Sequence, residues 1–207
     1  MELAEYIGTG LGLLCVYLII RQNILCWPVG IATIAIYTRI FFEAKLYSDV
    51  LLQGIYLLLH IYGWYYWIKR GPDEERPANV QTLSTEAKWL WLAIAITSTY
   101  TLGFVMGHYT DASVPYFDAA TTTISLIAQW LMTRKFIENW LVWIFVDVLA
   151  AGVYLYKSLN ATALLYMVYA CLGVYGFITW RRTVISESDK RERRKTSPSK
   201  RITTANA

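Results

Sequence analysis

Charge is scarce in this chain. Only 16% of its 207 residues are Asp, Glu, Lys or Arg while 56% are hydrophobic, against roughly 25% charged in an ordinary soluble domain. Water is therefore not its main solvent. Cysteine is scarce as well: Cys15, Cys26 and Cys171 lie in or at the ends of apolar stretches with no CxxC spacing. That pattern supports neither a disulfide framework nor a zinc site, and the three read as small packing residues. The two histidines, His60 and His108, are far apart and outside any HExxH context, so no metal centre and no cofactor are expected. No Gly-x-x-x-x-Gly-Lys-Ser/Thr stretch occurs, which argues against an ATP-driven pump within this chain. An intramembrane enzyme would need a nucleophile and base or a metal set, and none is found, so the chain reads as a non-enzyme. The amino-terminal stretch carries Glu2 and Glu5 in place of a basic region and has no small-residue cleavage site; it is expected to be a retained helix.

What is present is apolar length. Hydrophobic segments fall at 4–20, 26–43, 46–67, 88–107, 117–133, 138–156 and 160–180. A hydrocarbon core of about 30 Å needs about 20 helical residues, so the expectation is an all-α membrane protein with seven transmembrane helices. Breakers or charge separate the segments, as in the polar stretch from Lys69 to Lys88 with Gly71-Pro72. Placing alternate joints on alternate sides puts sixteen basic residues on one side, Arg21, Arg134 and Lys135 among them, against Lys45 and Lys157 on the other. The positive-inside rule then sets the N-terminus outside and the C-terminus in the cytosol. Arg39 falls near the outer end of the second segment, where it can snorkel. Residues 183–207 form a basic tail, seven of whose Lys and Arg lie between Lys190 and Arg201. The tail reads as disordered and cytoplasmic, near anionic lipid and not nucleic acid.

Residues 1–182 then form one transmembrane transport domain with an internal repeat. A shift of 113 aligns 4–69 with 117–182 without a gap, with sixteen identities in 66 positions. Arg21 matches Arg134, Trp27 matches Trp140, Tyr56 matches Tyr169, Tyr62-Gly63 matches Tyr175-Gly176, and Trp67 matches Trp180. Three helices reverse direction, and the unpaired segment 88–107 restores it, so the expected architecture is 3+1+3 with parallel repeats. A solute site at the repeat interface near midplane follows from such an arrangement.

Polar side chains within apolar segments are costly and need an account. Asp49, Gln53, Tyr56 and His60 share one face of the third segment; Asp118, Thr122, Ser125 and Gln129 share one face of the fifth; Trp140, Trp143 and Asp147 share one of the sixth. Thr122, Ser125 and His60 read as hydrogen-bonding glue between helices, Asp49 and Asp118 as interfacial groups near segment ends. Asp147 sits mid-segment, with Lys135 and Lys157 only at the two ends. A carboxylate one turn from Trp143 suits a cationic heteroaromatic ligand. Trp27, Trp67, Trp89, Trp91 and Trp180 fit an interfacial belt. The repeat singles out positions where the halves differ: Asp147 against Ile34, Trp143 against Gly30, Gln53 against Tyr166. The candidate substrate-binding residues are Gln53, Tyr56, Gln129, Asn139, Trp140, Trp143 and Asp147.

The stretches LYSDVLLQGIYLLLHIYGWYYW at 46–67 and FDAATTTISLIAQWLMTRKFIENWLVWIFVD at 117–147 resemble the Pnu family of bacterial vitamin transporters, and the resemblance covers nearly all of 5–182. It implies a SWEET-like 3+1+3 fold and facilitated diffusion of a small vitamin, trapped inside by phosphorylation. Within that family a helix pattern WxxWxxxN is associated with nicotinamide riboside. Here Asp147 stands where that pattern has Asn, and this departure resembles the thiamine branch. Thiamine is the substrate expected on that ground, with nicotinamide riboside as the alternative and a non-transport membrane receptor as a reading from another class. The expected partners are the vitamin and the lipid bilayer, and self-association into a homo-oligomer is left open.

Overall fold

Seven α-helices follow one another among the described residues, with bounds close to the apolar segments. In the computed structural model, which describes residues 2–69, 80–110, 114–156 and 158–196, they are α1 (Glu2–Ile20), α2 (Cys26–Glu43), α3 (Tyr47–Lys69), α4 (Thr85–Tyr109), α5 (Pro115–Thr133), α6 (Glu138–Tyr156) and α7 (Asn160–Thr196). By length and composition α1, α4, α6 and α7 are apolar enough to cross a membrane. The other three, of 18 to 23 residues, carry most of the polar stripes. The architecture is an all-α membrane fold. Arg70, Arg76, Lys157 and the end of the basic tail, all used in the charge argument, lie outside the described residues.

Local chemistry explains the joints. Ser84 caps α4, its Oγ accepting from Ala87 N at 3.2 Å, and Pro115 opens α5, where its missing N–H costs nothing. Helices α1, α2, α5 and α6 end alike. Gln22, Lys45, Lys135 and Ser158 adopt left-handed backbone with φ of 52°, 59°, 57° and 60°. After α1, Gln22 N donates to the Ile19 carbonyl and Asn23 N to the Leu18 carbonyl; after α5, Lys135 N donates to Met132 and Phe136 N to Leu131. These are Schellman closures built without glycine. Such a conformation is uncommon for side-chain-bearing residues, yet each recurs 113 positions on.

Tertiary contacts recur at the same spacing. Trp27 meets Trp67 edge to face at 5.2 Å, and Trp140 meets Trp180 at 5.4 Å, with interplanar angles of 87° in both. Trp67 Nε1 donates to the Thr133 carbonyl at 3.0 Å, and Trp180 Nε1 to the Ile20 carbonyl at 3.3 Å. Each bond runs from α3 or α7 to the first helix of the other half, so the halves exchange equivalent contacts. Accordingly α3 packs on α5, and α7 on α1. Helix α4 packs on α5 alone among the described helices, tied by Thr99 Oγ1 to Thr123 Oγ1 at 2.7 Å.

Two sequence expectations are corrected. Trp27, Trp67 and Trp180, expected in an interfacial belt, are core residues, 1%, 5% and 0% exposed. Their partners are Ile19, Ile20, Cys26, Met132, Ile137 and Val80. Helix-to-helix stacking of large rings outweighs their preference for the membrane interface once Gly63 and Gly176 clear space for them: a Cβ on Gly176 would stand 2.6 Å from the Trp140 ring, and one on Gly63 would overlap Trp27. Trp89 does stay exposed. The tail, expected disordered from 183, is instead helical to Thr196 as the end of α7. That stretch contains neither Gly nor Pro and is rich in Glu, Lys and Arg, good helix formers that propagate a helix already nucleated. Residues 197–207 lie outside the described residues.

Candidate functional site

Two buried polar groups are present, each centred on one half and completed by the first helix of the other. In the first half Gly30 on α2 leaves room for an imidazole: a Cβ there would lie 2.6 Å from His60 Cδ2 and Nε2 and 3.2 Å from Cys15 Sγ. His60, buried, stands edge-on to Trp27 at 5.5 Å. Its Nδ1 is 2.8 Å from the Tyr56 carbonyl and 3.4 Å from Gln129 Nε2. Gln129 is 3% exposed, and the Tyr56 hydroxyl lies beside Ser125. Helices α2, α3 and α5 thus bring Trp27, Tyr56, His60, Ser125 and Gln129 together.

The second half replaces this arrangement with aromatics and a carboxylate. Where the first half has Gly30 and His60, the second has Trp143 and Gly173, so the bulky group moves from the third helix to the second. Asp147 on α6 is 7% exposed. It lies near Tyr166 and Tyr169 of α7. Among the described residues no Lys or Arg pairs with it. Tyr154 stacks on Tyr166 at 5.3 Å and 14°. The Tyr169 hydroxyl abuts Gly12, 2.7 Å from where a Cβ would stand. Gly12 is the counterpart of Ser125, so Tyr169 lacks the serine partner that its mate Tyr56 has. Cys15, whose Sγ lies 3.2 Å from where a Cβ on Gly30 would stand, is on α1 with Gly12, so α1 borders both groups.

Four buried side-chain polar atoms have no hydrogen-bond partner among the described residues: Arg134 Nε, Asn139 Oδ1, and Trp27 Nε1 and Trp140 Nε1, the last two in one core cluster. An unpaired buried group costs about 1–3 kcal/mol. Two of the four are repeat mates, Trp27 and Trp140, so each half buries an equivalent unpartnered indole donor. Asn139 spends its amide on the Phe136 carbonyl at 2.6 Å.

Of the candidates read from the sequence, Tyr56 and Gln129 meet around His60. Asp147 lies with the α7 tyrosines, and Asn139 and Trp140 stand at the start of α6. The Trp140 ring is held by Trp180 and Gly176, as scaffold, with only its Nε1 left over. Gln53 and Trp143 are half-buried and make no side-chain hydrogen bond or ring contact with the described residues. Sequence reasoning passed over Trp27, Cys15, Tyr166 and Tyr169 as site residues and read His60 as glue. The Gly30/Trp143 and His60/Gly173 exchange between halves was the signal for His60. A cleft of about 370 Å³ between α1 and α2 shares none of these residues. Its apolar lining, relieved only by the Arg39–Glu43 ion pair at 2.8 Å, offers a polar solute few convergent groups.

The model of the family described as nicotinamide mononucleotide transporter matches residues 2–182. The nicotinamide riboside transporter PnuC of Escherichia coli (strain K12) is 26% identical over 200 residues, covering 85% of this chain and 84% of its own. The riboflavin/roseoflavin transporter RibM of Streptomyces davaonensis is 23% identical over 180 residues, covering 86% and 84%. A crystal structure of the vitamin B3 transporter PnuC superposes with a TM-score of 0.74 at 23% identity, covering 89% of this chain and 83% of that one, and so shares the fold.

Proposed function

The chain belongs to the nicotinamide mononucleotide transporter family, and from that premise we propose that it carries nicotinamide riboside across the bacterial inner membrane. The observation that carries this reading is Asp147, a buried carboxylate with no basic partner among the described residues and with Trp143 one turn away. A pyridinium ring supplies the missing positive charge and a flat face for the indole. The unpartnered Trp27, Trp140 and Asn139 atoms and the Gln129–His60 pair offer hydrogen bonds to ribose hydroxyls and a carboxamide. The names of the curated relatives favour nicotinamide riboside over thiamine, which the sequence alone put first.

Thiamine remains the second reading, because Asp147 stands where the nicotinamide riboside pattern has Asn. Its thiazolium charge and aminopyrimidine also suit a carboxylate beside aromatics. Transport is facilitated diffusion, in keeping with the lack of a nucleotide-binding motif, and net uptake follows from intracellular phosphorylation. Positive charge concentrated on one side supports an external N-terminus and a cytosolic C-terminus.

The test is flux into proteoliposomes loaded with no energy source, with nicotinamide riboside, thiamine and riboflavin in parallel. Nicotinamide riboside should equilibrate fastest and stop at equal concentrations inside and out. Accumulation driven by an imposed proton or sodium gradient would refute diffusion. A faster rate for thiamine would restore the second reading, and chemical conversion of the solute would mark an enzyme.

A further inference from the structure

Gln22 and Lys135 occupy the same position in the two halves, each the left-handed residue that joins the first helix to the second. Their side chains meet, with Lys135 Nζ donating to Gln22 Oε1 at 3.2 Å. The two repeat-equivalent joints are thus in direct contact. The pair is flanked on both sides by the reciprocal bonds from Trp67 to Thr133 and from Trp180 to Ile20. Lys135 Nζ also sits 4.1 Å above the Trp67 ring. Thr133 and Trp180 are 0% exposed and Ile20 1%. At this end of the bundle the two halves meet in buried contacts.

One jaw is pinned and the other is not. Residues 80–83 return across the joint of the second half: Gln81 N donates to the Lys135 carbonyl and Ile137 N to the Gln81 carbonyl, both at 2.9 Å. Leu83 N donates to both Glu138 carboxylate oxygens at 3.1 Å, and Lys88 pairs with Glu138 at 3.2 Å. Val80 is buried in the same core. The first half has no such strap among the described residues; the counterpart of Glu138 is Leu25, which is exposed.

We propose that Gln22 and Lys135 are the gate at the end of the bundle bearing Arg21 and Arg134, with Lys135 the strapped jaw and Gln22 the moving one. A solute travelling between the halves must part this contact, and the α1–α2 joint swings away because only the α5–α6 joint is tied to the 80–83 segment. This rests on the transport reading.

The test uses the full chain with Cys15→Ala, Cys26→Ala and Cys171→Ser, to which Gln22→Cys and Lys135→Cys are added. A short bis-methanethiosulfonate linker joins the two introduced thiols and is released by dithiothreitol. Linking should cut nicotinamide riboside flux at least tenfold, and reductant should restore it, the recovery itself showing the protein folded. Linked protein that carries the vitamin as fast as the unlinked protein would overturn the gate. A second measurement is independent of the vitamin. With Cys26 retained and the other two native cysteines replaced, Lys135→Ala should raise labelling of buried Cys26 by a membrane-impermeant maleimide at least fivefold. An unchanged labelling rate would also overturn the proposal, whereas absence of vitamin flux with raised labelling would reject the transported solute and leave the gate standing.

Discussion

Trp67 and Trp180 each donate an indole N–H to the opposite half: Trp67 to the Thr133 carbonyl, Trp180 to the Ile20 carbonyl. Both acceptors are carbonyls of a helix's last turn, which have no intrahelical donor. Each bond thus satisfies an orphan acceptor and stitches one half to the other. Trp67→Phe and Trp180→Phe should each lower stability by about 0.5–1.5 kcal/mol, with nearly equal shifts in thermal unfolding in detergent. A large shift for one and none for the other would show that the two bonds are not equivalent.

Gly176 supports the Trp140 ring from below, and a methyl there meets it at 2.6 Å. Gly176→Ala should therefore cost about 1–3 kcal/mol through overpacking. Gly152→Ala is the control, because nothing lies within 4 Å of its added Cβ; it should be neutral or slightly stabilising in a helix. The two unfolding midpoints, measured side by side, decide the point, and equal midpoints would sink it.

Trp143 is half-buried and has no aromatic neighbour among the described residues. If it is the stacking platform for the vitamin ring, Trp143→Ala should weaken nicotinamide riboside binding by about 1–3 kcal/mol, the scale of base stacking on aromatics. Calorimetric titration in detergent measures this. Unchanged affinity in folded protein would return the residue to packing.

Asp147 separates the two vitamin readings. Asp147→Asn keeps the volume and removes the charge. Nicotinamide riboside binding should fall by about 1.5–3 kcal/mol, the scale of a hydrogen bond to a charged group, and thiamine should lose less; a larger loss for thiamine would favour the second reading. Both ligands are titrated against wild type and variant. Equal losses for both would remove Asp147 as a determinant of selectivity.

Helix number and most helix bounds were legible without coordinates, because a spanning helix is specified locally by a run of apolar residues between breakers. The segments 26–43 and 138–156 coincide with α2 and α6. The 113-residue offset was legible too, since matched tryptophans, arginine and Tyr-Gly pairs survive divergence of the apolar filler around them. Asp147 stood out for the same local reason, a charge midway along an apolar run.

Burial and partnership were not local. An interfacial and a core tryptophan look alike in sequence, and only the glycine notches facing Trp27 and Trp140 put those rings inside. His60 became part of the polar cluster because Gly30, on another helix, left room for it. The contact of Gln22 with Lys135 and the strap at 80–83 join residues 113 and some 55 positions apart, which no periodicity encodes. The chain by itself determined where helices form and that the halves repeat. The tertiary structure decided which side chains face one another across the axis, because that depends on how two separately specified surfaces close together.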